Sequence, residues 1–308
     1  MTPIALSPGT LWARLQSRTV DALRSGALQP IPTRHEVVQD AGIPFIVRVV
    51  SNVARKAAAR VLPAAGSDST PQAAAFDPFL PYDPAMFVAD VSDTHVALLN
   101  KFNVVEHHLL LVTRAFEEQE SMLTRADFEA LCACLGEIDG LGFYNSGAAA
   151  GASQRHKHLQ LMTLPLAPEG PRVPLEALLP APTELGTRPV ALPGLPFRHA
   201  VSGRQIGDRS IADAGAAAYD AYRRLLEAAG LPGAADAKSA LPPYNLLVTR
   251  RWMLLVPRTR EDFESISVNA LGFAGALLVR DQAALARLRT VGPMQVLASV
   301  AGTSSRLG

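Results

Sequence analysis

The chain has 308 residues, 48% of them hydrophobic and 19% charged, enough to bury a full core as one large domain or two ordinary ones. Its 29 basic and 28 acidic side chains leave a net charge of +1, which excludes a polycation that coats nucleic acid and an acidic solvating tail. Two cysteines, Cys132 and Cys134, exclude a disulfide framework and fit a reducing compartment. The longest apolar stretch, 268–279, falls short of the ~20 residues a membrane helix needs, so a cytoplasmic protein with no membrane and no nucleic-acid partner is expected.

Residues 8–25 are predicted as a helix, with Leu11, Leu15, Val20 and Leu23 as its apolar stripe and Gly26 as its stop. A strand follows over 43–50. The Ala-, Pro- and Ser-rich stretch 57–72 reads as a loose surface segment, and Pro78, Pro81 and Pro84 interrupt regular structure after it. Residues 95–104 and 107–113 read as paired strands turning at Glu106. A helix is expected after Thr124, an N-cap with Asp127 three residues on in the manner of a capping box. Its core face is Phe128, Leu131, Leu135 and Ile138, and Gly140 ends it. Strands at 141–145 and 156–163 flank a Gly/Ala/Ser loop, 146–155. Residues 165–200 are rich in proline and read as an irregular connection. A helix over about 211–229 stops at Gly230 and Pro232. Residues 241–258 read as a hairpin turning at Arg250 and Arg251, and short helices over 281–290 and 293–301 finish the chain. Strands in meander order with helices between them argue for an α+β protein with a mainly antiparallel sheet.

The chemistry concentrates in NSGAAAGASQRHKHLQ, residues 145–160. As a strand from 156, alternation puts His156, His158 and Gln160 on one face at intervals of ~6.6 to 6.8 Å, with Lys157 and Leu159 on the other. The small-residue loop before them can bring backbone N–H groups close to an anion. Donors that hold oxygens beside an imidazole that attacks suit a phosphorus centre. The same H-x-H spacing also fits a metal-ligand pair or two surface histidines. No carboxylate or CxxC pair stands beside it, and Cys132 and Cys134 read as structural. Lys157, turned from the histidine face, reads as a solvated strand residue.

Three segments, 100–119, 143–162 and 244–258, resemble the ATP adenylyltransferases, the diadenosine tetraphosphate phosphorylases of the histidine-triad superfamily. GASQRHKHLQ is the most specific of the shared stretches. The resemblance implies a histidine-triad-like sheet with helical extensions. It divides the chain into 1–170, with the catalytic motif, and 171–308, packed against it as one catalytic unit. It implies reversible phosphorolysis of diadenosine tetraphosphate (Ap4A) to ATP and ADP through an AMP-histidine, and adenosine phosphosulfate as a further substrate. Carried over by motif, the nucleophile is His158, oriented by His156, and the glutamine that marks transferases over hydrolases is Gln160. Substrate contacts fall on Asn145, on Gly151, Ala152, Ser153 and Gln154, on Asn100 and Lys101, on Lys56, and on Asn245, Thr249 and Met253. Magnesium is expected to arrive with the polyphosphate, because no carboxylate cluster is evident to hold it, and no other metal is expected. The partners are small molecules, and the sequence carries no signal of oligomeric state. A hexose-1-phosphate uridylyltransferase shares the H-x-H-x-Q logic, usually with proline where Lys157 stands and with structural zinc ligands not evident here. A non-catalytic dinucleotide sensor is the binding-module alternative, against which an intact His158 argues.

Overall fold

The computed structural model describes residues 3–50, 77–181, 184–204, 209–231 and 241–302. Lys56 and the whole stretch 57–72 read as loose lie outside them. The strands are β1 (Thr33–Asp40), β2 (Ile43–Val50), β3 (Phe87–Asp90), β4 (His95–Leu99), β5 (Leu109–Thr113), β6 (Gly140–Ser146), β7 (His158–Thr163), β8 (Ala200–Gly203), β9 (Tyr244–Val248), β10 (Trp252–Pro257), β11 (Asp262–Phe263), β12 (Ile266–Ser267) and β13 (Ala276–Val279). The helices are α1 (Leu11–Ser25), α2 (Arg125–Glu137), α3 (Ile211–Ala228), α4 (Ala270–Phe273), α5 (Gln282–Val291) and α6 (Pro293–Val300).

Eight strands form one antiparallel sheet in the order β3-β4-β5-β7-β6-β9-β10-β8, an α+β architecture. Strands from both halves of the sequence share this sheet, joined where β6 pairs with β9. One face packs on α1, α2 and α3 through a core that includes Leu111, Tyr144, Leu159, Leu161, Leu246 and Met253. The other face carries two separate covers. Over β6, β9 and β10 lies the small sheet β1-β2-β13, packed on Phe143, Leu247 and Leu254. Over β4 and β5 lies the segment from Phe79, packed on Val96, Leu98, Leu110 and Val112. The histidine strand β7 runs between the two covers.

Local sequence explains the elements that position the site. Thr124 accepts from the Asp127 N–H while the Asp127 carboxylate accepts from the Thr124 N–H, a complete capping box that fixes the start of α2. In α1 the buried residues are Leu11, Leu15, Thr19 and Ala22, whereas Val20 and Leu23 are exposed. The helix is therefore rotated from the stripe read in the sequence, because Leu11 and Leu15 fix the face and Thr19 satisfies its hydroxyl on the Leu15 carbonyl. The strands β1, β3, β8 and β13 were not read from the sequence, and β13 pairs with β2 in parallel.

Candidate active site

β7 begins at His158, not 156, and alternates Leu159 and Leu161 into the helix-side core with His158, Gln160 and Met162 onto the other face. His158 and Gln160 share one surface, as their spacing predicts. His156 precedes the strand in an isolated bridge to Glu118. Extending the β6–β7 register places Asn145 opposite His158, and Asn245 of β9 lies opposite Asn145.

The nucleophile candidate is held through its ring and its backbone. His158 Nδ1 donates to the His156 carbonyl at 2.8 Å, which leaves the lone pair on Nε2. The Gln119 side chain grips the backbone on both sides. Its Oε1 accepts from the His158 N–H at 2.8 Å, and its Nε2 donates to the carbonyls of His158 at 3.1 Å and Asn145 at 2.9 Å. Burial lowers the His158 pKa to about 4, and charge on His156 pushes the same way against the bond to the carbonyl. The ring is thus neutral and nucleophilic at physiological pH.

Gln160 is oriented by a chain of two side chains. Asn100 Nδ2 donates to His108 Nδ1 at 3.1 Å, so His108 carries its hydrogen on Nε2 and donates to Gln160 Oε1 at 2.9 Å. The Gln160 amide then has its NH2 end on the side away from His108. Burial lowers the His108 pKa to about 4, opposed by the bond to Gln160 and assisted by His158, so no second proton scrambles the chain. Neither Gln119 nor His108 was singled out in the sequence. Gln119 closes the segment 100–119, one of the three that carry the family resemblance. His108 lies in the same segment, two residues before Leu110, the β5 partner of Gln160, a relation that only the register reveals.

The loop before the histidines is shaped by its own backbone. The N–H groups of Gly151 and Ala152 donate to the carbonyls of Ala148 and Gly147 at 2.8 and 3.1 Å, so they build the turn and do not aim outward. Gly151 sits at φ 87°, and a Cβ there would come within 2.9 Å of Asn269 Cβ and 3.0 Å of the Val268 carbonyl, so only glycine fits. Ser153 is exposed and Gln154 half-buried at the loop's end. Lys101 is exposed, with its ammonium 5.7 Å from the centre of the Phe102 ring.

Other expectations need correction. Asn245 spends its amide below the loop, with Nδ2 donating to Asn145 Oδ1 and the Ala150 carbonyl at 2.8 Å each and Oδ1 accepting from Arg258 Nη1 at 2.5 Å. It braces the loop, and Asn145 Oδ1 is engaged by it and by the Ala270 N–H. Met253 lies in the helix-side core, on the face opposite His158, because alternation along β10 puts Leu254 on the site's side. Thr249 closes the β9–β10 turn, its Oγ1 accepting from the N–H groups of Arg251 and Trp252. It is four residues along β9 from Asn245, about 13 Å. Lys157 does turn away from the histidines but is fully buried, ion-paired to Asp127 at 2.8 Å and Glu117 at 3.0 Å. Burial pushes the Asp127 carboxyl up, yet Lys157 and His95 outweigh it and hold it well below the carboxylate range. Among the described residues no group of three or more His, Cys, Asp or Glu is placed to hold a metal, and no helix is long and apolar enough to cross a membrane.

A neutral imidazole with a bare Nε2, beside an oriented amide donor and a tight glycine loop on an antiparallel sheet, defines a nucleotidyl-transferring site of the histidine-triad kind. The comparisons agree. Residues 1–181 match the family model of the Ap4A phosphorylase N-terminal domain, and residues 193–303 match the ATP adenylyltransferase C-terminal domain. The chain belongs to the Ap4A phosphorylase family. It is 30% identical over 236 residues to diadenosine tetraphosphate phosphorylase 2 of Saccharomyces cerevisiae, covering 69% of this chain and 71% of that protein. It superposes on the crystal structure of yeast Ap4A phosphorylase Apa2 with a TM-score of 0.77 at 25% identity, covering 99% of this chain and 98% of that one. The Ap4A complex of the same yeast enzyme shares the fold, with a TM-score of 0.73 at 23% identity over 99% of this chain and 100% of that chain.

Proposed function

We propose that this enzyme is a nucleotidyltransferase that splits Ap4A with inorganic phosphate, reversibly, into ATP and ADP by two displacements. His158 Nε2 attacks the α-phosphorus of one adenylate, the bond to the bridging oxygen breaks, and ATP leaves. Phosphate oxygen then attacks the same phosphorus, the P–N bond breaks, and ADP leaves. The observation that carries the reading is the His158 ring itself, neutral by burial and tied at Nδ1 to a carbonyl so that the lone pair stays on Nε2. Gln160 is a donor without a titrating nitrogen near neutral pH, so it stabilises phosphoryl oxygens and gives water no base. Asn100, Lys101, Ser153, Gln154 and Lys56 are the substrate contacts in this scheme, and magnesium enters bound to the polyphosphate. A mainly apolar cavity of about 130 Å³, lined in part by Met162 and Asn269 next to Gln160 and Gly151, gives room for part of a nucleoside. Adenosine phosphosulfate would react by the same first step with sulfate leaving. A cytoplasmic location fits these substrates and the two buried thiols. The test is Ap4A incubated with phosphate and analysed by chromatography. Equal ATP and ADP are expected. AMP as the main product instead of ADP would make the enzyme a hydrolase.

A further inference from the structure

His156, two residues before the nucleophile, has both ring nitrogens facing oxygen. Nδ1 lies 2.7 Å from Asp77 Oδ2, and Nε2 lies 2.7 Å from the Thr113 carbonyl. A carbonyl only accepts, so Nε2 carries a hydrogen. A carboxylate only accepts, so Nδ1 carries one too. The Thr113 hydroxyl, 3.0 Å from Nε2, gives its own hydrogen to the Ala115 carbonyl at 2.9 Å. The ring is buried at 1% exposure between the edges of Phe79 and Phe116, at 5.6 and 5.5 Å. Beyond Phe116 the Arg155 guanidinium is already paired with Glu118. The counter-charge at hydrogen-bond distance is therefore Asp77, as a buried cation requires. Its second oxygen accepts from the Phe79 N–H at 2.9 Å, which fixes the carboxylate and seats Phe79 5.5 Å from the His158 ring as well.

We propose that Asp77 is a positioning residue for the nucleophile, holding His156 as a doubly protonated ring whose backbone carbonyl locks the His158 tautomer and whose charge stands behind the attacking nitrogen. The cation opposes a second proton on His158, the direction in which His156 already acts on it. The inference rests on His158 as the nucleophile, so one arm of its test needs no substrate.

That arm is nitrogen-resolved NMR of the histidine rings in the resting protein at neutral pH. His156 is expected with both nitrogens protonated, and in Asp77→Asn with one. The second arm is kinetic. Asp77→Asn preserves the shape and removes the charge, so kcat should fall roughly tenfold or more, with KM for Ap4A within about threefold. The acid limb of kcat/KM should move to higher pH, which a merely structural carboxylate would not do. Asp77→Glu should recover part of the loss. A singly protonated His156 in the wild type would overturn the proposal, as would an Asp77→Asn enzyme with unchanged kcat and an unmoved acid limb. Should the protein fail to turn over Ap4A, the NMR arm still decides the state of the Asp77–His156 pair.

Discussion

Replacing His108 with leucine tests whether Gln160 acts with its amide set by a neighbour. The substitution removes the 2.9 Å donor to Gln160 Oε1 and breaks the link to Asn100. Two costs follow. The Gln160 carbonyl loses its partner in a half-buried site, worth ~1 to 3 kcal/mol if water does not replace it. The amide can also flip, so that its oxygen meets the phosphoryl oxygens for part of the time. Equal populations alone would halve the rate. The upper bound is the full contribution of the Gln160 donor, a charge-assisted bond of ~1.5 to 3 kcal/mol, or roughly 10- to 150-fold in kcat. The assay is Ap4A phosphorolysis at saturating phosphate for His108→Leu, Gln160→Ala and the double variant. His108→Leu should lose between about 2-fold and the loss of Gln160→Ala. The double variant should be no slower than Gln160→Ala within about twofold, because His108 acts through Gln160. Losses that multiply would show that His108 works independently and would refute the orientation chain.

Lys157→Met leaves the buried Asp127 without its cation, while Glu117 stays open to solvent, and should cost roughly 3 to 5 kcal/mol in a denaturant titration. A cost below about 1 kcal/mol would mean the pair is compensated by His95 alone. His158 and His108 both sit near pKa 4, against 6.5 for the free side chain. The unfolded chain therefore binds more protons between these values, so stability is full above about 6.5 and is lost as pH falls toward 4. At pH 5 the two rings should cost roughly 2 kcal/mol each, read as a drop in the urea midpoint from pH 7 that shrinks in His108→Leu. An unchanged midpoint would mean the rings are not desolvated.

The catalytic strand was legible because its chemistry is local. Period-2 alternation alone placed His158 and Gln160 together, and the Thr124–Asp127 box marked the start of α2. The supporting residues were not legible, because register brings them from elsewhere. Gln119 reaches His158 from 39 residues away, and His108 reaches Gln160 from 52. In sequence His108 is an ordinary polar residue at the head of an apolar run, and Gln119 one polar residue among Glu117, Glu118 and Glu120. Lys157 was read as solvated because alternation tells which face a residue takes and not what covers that face. Here α2 covers it, and Asp127 at the N-terminus of that helix supplies the partner. Met253 failed for the matching reason. A methionine on an apolar strand faces whichever core the pairing dictates, and β10 pairs so that Met253 faces the helices.

The central claim is that Nε2 of His158 carries AMP between the two displacements. The direct measurement is peptide mass spectrometry after brief mixing with Ap4A in the absence of phosphate, quenched at alkaline pH to spare an acid-labile P–N bond. An AMP adduct on His158, accompanied by released ATP and discharged as ADP when phosphate is added, is the predicted result. Phosphorolysis that proceeds without an adduct on His158, or with undiminished kcat in His158→Ala, would contradict it.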